Sequence, residues 1–107
     1  MSNTYINPKM TEIIEEYKKE IYSFRLFISG DTVLSRRTII NLNLFLNKHL
    51  ENRYNIDIID VLLYPEFTVS EDIVTLPLLI KDKPLPEARV TGDMSKSEAM
   101  IKEFLIV

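Results

Sequence analysis

Val74-Thr75-Leu76-Pro77-Leu78-Leu79-Ile80-Lys81-Asp82-Lys83-Pro84-Leu85-Pro86-Glu87-Ala88-Arg89-Val90-Thr91-Gly92-Asp93-Met94-Ser95 is the stretch whose reading decides the fold. It is an apolar run that meets a proline, turns through two more and comes back. Proline lacks the N–H that a sheet ladder needs, so Pro77 belongs at a sheet edge, at a bulge or in a cis peptide. Val74 to Ile80 therefore predicts a short strand beginning around Pro77, and Pro84-Leu85-Pro86 a connection that cannot be helical. Arg89-Val90-Thr91 predicts a second short strand, closed by Gly92-Asp93. Taken alone, the stretch is better read as an ordinary hairpin stiffened by prolines. The preceding residues must supply the sheet that it joins.

At 107 residues the chain predicts one domain, since division would leave neither half a workable core. A hydrophobic fraction of 46% with 27% charged residues is that of a globular protein, neither disordered nor membrane-embedded. The net charge of -3 is mild and dispersed, which argues against nucleic-acid binding by phosphate neutralisation. Cysteine is absent, so disulfides, thiolate catalysis and cysteine-ligated zinc are excluded, in keeping with a reducing compartment. His49 is the single histidine, and no carboxylate spacing demands a metal. No signal-peptide pattern occurs and no apolar run reaches the ~20 residues that span a bilayer, which predicts a cytoplasmic location without a membrane.

Residues 1 to 9 read as a loose tail. Thr11 to Glu20 reads as a helix with Ile13, Ile14, Tyr17 and Ile21 on one stripe. It is expected to cover a sheet face or edge, with partner binding the lesser reading. Tyr22 to Ser29 predicts a central strand buried on both faces, ended by Gly30-Asp31-Thr32. Ile39, Leu42, Leu46 and Leu50 fall at helical spacing, placing an amphipathic helix from about Leu34 to His49 with Asp31, Thr32 or Ser35 as its cap. Arg36 and Arg37 sit in its first turn, against the helix dipole. Such local violations are enriched at functional places, although two solvated arginines without a role weigh equally. Asn52 to Asn55 reads as a polar loop and Ile56 to Leu63 as a second strand, parallel to the first with a right-handed crossover. Tyr64 to Asp72 accommodates one or two helical turns. Ser95-Lys96-Ser97-Glu98 matches a capping box for a terminal helix with Met100, Ile101, Phe104 and Leu105 apolar. The order is α-β-α-β-α-β-β-α. Without its added first helix this is the thioredoxin order, βαβαββα, and where a redox domain carries C-x-x-C the chain reads Thr32-Val33-Leu34-Ser35.

The remaining constellations are weak. Glu12, Glu15 and Glu16 are a solvated helix face before they are a metal site. Asp57 and Asp60, three apart on a strand, point to opposite faces and make a poor acid–base pair. Only Gly30 and Gly92 occur, so no glycine-rich phosphate loop exists.

Phe24 to Thr32, Ser35, Arg37, Ile59-Asp60-Val61-Leu62, Pro65, Pro77, Pro84-Leu85-Pro86, Arg89 and Gly92-Asp93-Met94-Ser95 together resemble the KaiB family of clock proteins, in register and without gaps. The resemblance covers roughly residues 22 to 105, leaving 1-21 as tail and added helix and 22-107 as the domain. It implies a thioredoxin-like fold without redox cysteines, an alternative ground state whose C-terminal half is repacked, typically in a tetramer, and a homo-oligomer that is a dimer or a tetramer. It implies no cofactor and no catalysis, but regulation by protein-protein interaction, with the thioredoxin-like state binding the ring-shaped ATPase KaiC. Arg37, Asp57 and Arg89 fall on the partner-binding side of this reading, and Gly30, Pro77, Pro86, Gly92 and Asp93 are its structural or switch positions. Pro77 matches the proline expected to be cis in the thioredoxin-like state. The chain departs from the family at Asp57, where a lysine used for binding KaiC is common. It departs again at Glu103-Phe104-Leu105, which replaces Gly-Leu-Asp, and the sequence shows no acidic tail. These departures imply a divergent member, either still bound to a KaiC-like ATPase or turned to stress adaptation. A thioredoxin-type oxidoreductase ranks last, because fold alone is no functional argument.

Overall fold

In the computed structural model, which describes residues 7–17 and 19–106, the elements are α1 (Pro8–Tyr17), β1 (Tyr22–Ile28), α2 (Val33–His49), β2 (Tyr54–Asp60), α3 (Glu66–Ser70), β3 (Leu78–Lys83), β4 (Ala88–Thr91) and α4 (Ser97–Glu103). The four strands form one sheet in the order β2-β1-β3-β4. β1 and β2 are parallel and pair Tyr22 with Tyr54 through Ile28 with Asp60, as a βαβ unit requires. β3 runs antiparallel to β1 and β4 antiparallel to β3, with Leu79 opposite both Leu26 and Val90. The second half of the chain thus has the expected thioredoxin-like packing, with a hairpin and a terminal helix where the repacked alternative would place neither.

Side-chain alternation sorts the apolar residues to two faces. Tyr22, Phe24, Leu26 and Ile28 of β1 and Leu79 of β3 join Leu42, Phe45 and Leu46 of α2 and Met100 and Phe104 in the larger core. Phe27, Leu78 and Ile80 point the other way and pack with Val61, Phe67, Ile73 and Leu76. β1 is therefore covered on both faces for part of its length, as its continuous apolar end predicts.

Several boundaries differ from the sequence reading, each for a physical reason. β2 begins at Tyr54 and ends at Asp60, so the polar Tyr54-Asn55 pair is strand and Val61-Leu62-Leu63 is not. The parallel partner fixes this register, and the Asp60 carboxylate turns the chain by accepting hydrogen bonds from Gly30 N and Leu62 N, both at 2.9 Å. The Ser95 capping box does not form. α4 starts at Ser97 without a side-chain cap, because the Asp93 carboxylate engages both the Ser95 hydroxyl and its N–H, the latter at 3.1 Å. At α2 the cap is Thr32, whose Oγ1 accepts from Ser35 N at 3.0 Å. α1 starts at Pro8, three residues before the expected helix, while residues 1 to 6 of the expected tail lie outside the described residues. Pro8 to Glu16 are all exposed. The helix does not cover the sheet as expected, because its stripe holds only Met10, Ile13 and Ile14 within the described side chains and the sheet faces are already filled.

Lys81 was legible only as one charge among several, yet it is fully buried on the α2 side of β3. Its Nζ donates to the Phe104 carbonyl at 2.9 Å and lies 5.8 Å from the Tyr22 ring centroid, while Tyr22 Oη donates to the Leu105 carbonyl at 3.2 Å. A lysine can be buried here because the last turn of α4 supplies an otherwise unpaired carbonyl and a dipole of favourable sign. Burial pushes the Lys81 ammonium below its ordinary value, with the Glu20 carboxylate opposing. Because the folded-state value is lowered, burial of the charged form costs stability below that value, and the cost is relieved as pH rises towards the unfolded value of 10.5. Lys81→Ala is expected to lower stability by about 2 kcal/mol through the lost packing and the orphaned carbonyl, and Lys81→Met by less. Urea denaturation midpoints check this, and an unchanged midpoint in Lys81→Ala would contradict the burial.

Candidate functional site

One end of the sheet gathers most of the singled-out residues. The C-terminal end of β1, the N-terminus of α2, the start of β3 and the end of β4 meet there, because β3 and β4 are antiparallel and Leu78 pairs with both Phe27 and Thr91. Gly30 closes β1 at φ 72°, and a Cβ there would stand 3.0 Å from the terminal Cδ1 of the exposed Leu62, which can shift, so it is the backbone that favours glycine. Gly92 closes β4 at φ 106° with open space around it, so the backbone alone selects glycine. Gly92 N donates to the Pro77 carbonyl at 3.0 Å, which ties the Gly92–Ser95 loop to the start of β3. The Leu76-Pro77 peptide is cis, as the family resemblance implied; Lys83-Pro84 and Leu85-Pro86 are cis as well.

Beside Pro77, a cleft of about 50 Å³ is lined by Ser29, Thr32, Leu34, Ser35, Leu76 and Pro77. Thr32 and Ser35 occupy the place of a redox pair, and Thr32 Oγ1 donates to Ser35 Oγ at 3.0 Å. Both hydroxyls are engaged at the start of α2. Along α2, Arg36 is held by both oxygens of Asp31 at 2.7 and 2.9 Å, which offsets its unfavourable place in the first turn. Arg37 is exposed and stands one turn before Asn41, whose Nδ2 donates to the Asp93 carbonyl at 2.9 Å. The Asp93 carboxyl lies below its ordinary value, held there first by hydrogen bonds from the Ser95 hydroxyl and N–H and then by the charge of Arg37. Arg37, Pro77, Gly92 and Asp93 are thus neighbours at one exposed end, with Gly30 close by.

The other three residues lie elsewhere. Asp57 is exposed on β2, an edge strand, and belongs to the sheet face opposite α2. Pro86 sits in the β3–β4 connection at the far end of the sheet. Arg89 is on the Asp57 face, where its guanidinium donates to Glu71 Oε2 at 3.1 Å and to the Glu71 carbonyl. The same Glu71 accepts from Arg25 at 2.6 Å, and Arg25 makes a two-bond fork to Asp82 at 2.7 and 2.8 Å. Arg25 also lies 5.5 Å from the Phe27 ring centroid, and its carboxylate partners hold its guanidinium above the ordinary value. This network joins β1, the end of α3, β3 and β4, so Arg89 serves here to fasten α3 to the sheet. Sequence reasoning missed it, since Glu71, Asp82 and Arg25 are far apart in the chain and only the alternation of Arg25 with Phe27 placed them on one face.

Among the described residues, no group of three or more histidine, aspartate or glutamate side chains could hold a metal ion, and no helix is long and apolar enough to cross a membrane. The fold is that of a thioredoxin-like domain, and the sequence has no cysteine. The comparisons narrow that class. A family model for the KaiB domain matches residues 25–103. The circadian clock protein KaiB3 of Synechocystis sp. is 40% identical over 83 residues, 78% of this chain and 81% of that protein. The circadian clock oscillator protein KaiB of Thermosynechococcus vestitus is 32% identical over 83 residues, covering 78% and 77%. In structure, the N-terminal domain of Synechococcus elongatus SasA aligns with TM-score 0.68 at 15% identity over 98% of this chain and 91% of that one. Mitochondrial thioredoxin 3 of Saccharomyces cerevisiae aligns with TM-score 0.61 at 14% identity, covering 87% and 85%, which is a likeness of fold. The chain belongs to the KaiB family.

The Asp93 carboxyl is expected to titrate by NMR with a midpoint below its ordinary 3.8. Since the folded-state value is lowered, the contacts of the anion act above the unfolded value and are lost as pH falls through the folded one. Ser95→Ala is expected to raise the midpoint most and Arg37→Ala to raise it less. A midpoint unmoved by Arg37→Ala would separate Arg37 from the loop.

Proposed function

We propose that this chain is a regulatory protein of the cytoplasm that acts by protein-protein interaction, without catalysis of its own, and docks on a KaiC-like ring ATPase. The observation that supports this most is the exposed Arg37 beside the Gly92–Asp93 loop, which the Asn41 to Asp93 hydrogen bond ties to α2 and the Gly92 to Pro77 hydrogen bond ties to the buried Pro77 at the start of β3. That cluster exists only in the thioredoxin-like packing, because Gly92 reaches Pro77 through the β3–β4 hairpin. An exposed arginine beside a structured loop offers bidentate recognition of a partner carboxylate.

Asp57 favours a second reading, in which the family fold is kept and the clock partner has been exchanged for another in stress adaptation. The acid is exposed on the open edge strand, where the family commonly presents a lysine, and like charges across an interface reject the former partner. Affinity capture of the KaiC-like protein of the same genome, loaded with ADP and with ATP, separates the two. Retention in one nucleotide state is expected, with Arg37→Glu weakening it about tenfold or more and Asp57→Lys strengthening it. Both residues are exposed, so folding stability should move by no more than about 0.5 kcal/mol in either variant. Absence of capture in both nucleotide states contradicts the first reading and leaves the second.

A further inference from the structure

Two unpartnered apolar surfaces occur on the same molecule. The first is α1, an arm whose residues Met10, Ile13 and Ile14 follow the i, i+3, i+4 spacing of one helix face and are all exposed. The second is a groove of about 270 Å³ between α2 and the edge strand β2, walled by Ile39, Ile40, Leu44, Ile56 and Ile58. Ile40 is 59% and Leu44 64% exposed, although both lie mid-helix. On α2 they continue the exposed ridge that begins at Arg37 and ends at Lys48.

The charges of the two surfaces are opposite. α1 carries Glu12, Glu15 and Glu16 against Lys9, while α2 carries Arg36, Arg37 and Lys48 and no acidic residue. The lengths agree too, since the 10 residues of α1 and the 12 from Arg37 to Lys48 each span about 15 to 18 Å of helix. We propose that the groove between α2 and β2 receives α1 of a second copy of this chain, exchanged reciprocally. Ile13 and Ile14 fill the slot between Ile40, Leu44 and Ile58, and the flanking glutamates meet Lys48 and Arg37, so this contact and docking of another partner through Arg37 exclude each other. Reciprocal exchange satisfies both surfaces of both copies in one two-fold contact and closes, whereas a one-way contact would propagate into a chain. It also covers the open edge of β2, which otherwise invites pairing with strands of other molecules.

The absence of cysteine makes the test direct. Ile14→Cys and Leu44→Cys are made separately, mixed and oxidised, and the proposal expects a disulfide-linked heterodimer well above either variant oxidised alone. The double variant should give a dimer closed by two disulfides. A double variant that links only within one chain would overturn the proposal by placing α1 in its own groove, and the absence of any link would overturn it equally. Sedimentation equilibrium supplies an independent readout. Ile13→Glu and Leu44→Glu are each expected to raise the dimer dissociation constant about tenfold or more, with unchanged circular dichroism because both residues are exposed. A wild-type chain that sediments as a monomer at high micromolar concentration, or a dimer indifferent to both substitutions, contradicts the assignment.

Discussion

The antiparallel pairing of β3 with β1 is the contact on which the second half of the chain depends. β1 already has its parallel partner in β2, and the hairpin joins the sheet at the other edge of β1. Once Leu79 lies opposite Leu26, alternation sends Leu78 and Ile80 to one face and Leu79 and Lys81 to the other. Lys81 then meets the end of α4, and Ile80 brings its neighbour Asp82 to Arg25. Register, buried cation and ion network are consequences of one strand pairing. A slip by one residue would exchange the faces and break all of them together.

The same pairing creates the exposed end of the domain. Antiparallel β3 and β4 return the chain twice past the N-terminus of α2, so that Pro77 and Gly92 become hydrogen-bonded neighbours and Asp93 comes under Asn41. In the neighbouring thioredoxin fold this corner carries thiols at the first turn of α2. Here Thr32 and Ser35 use their hydroxyls on the helix start, and the chemistry of the corner is that of charge and shape. This member of the KaiB family thus presents Arg37 beside a tethered loop.

Much of this architecture was legible in the residues. The long amphipathic period of α2, the apolar end of β1 and the placement of prolines around β3 gave element order and strand direction, because each depends on local pattern. What was not legible depends on partners distant in sequence. Tyr54 and Asn55 are strand because Tyr22 and Ser23 lie beside them, against their own polar character. Ser95 fails as a cap because Asp93 takes its hydroxyl as well as its N–H. Lys81 and the Arg25–Glu71–Arg89 network are pairings across the fold that no window of sequence contains. Of the site, Arg37, Pro77, Gly92 and Asp93 converge, while Asp57, Pro86 and Arg89 do not, since a shared family pattern carries no information on which sheet face or end a residue occupies.

The account rests on the thioredoxin-like packing of residues 64 to 106, and backbone NMR of the full chain tests that packing most directly. Chemical shifts should show strand at 88 to 91 and helix at 97 to 103, with cross-strand contacts between the residues that pair Leu79 with Val90. Extended structure over 97 to 103 and helix in place of the β3–β4 hairpin would contradict it, because neither the buried Lys81 nor the cluster around Arg37 could then exist.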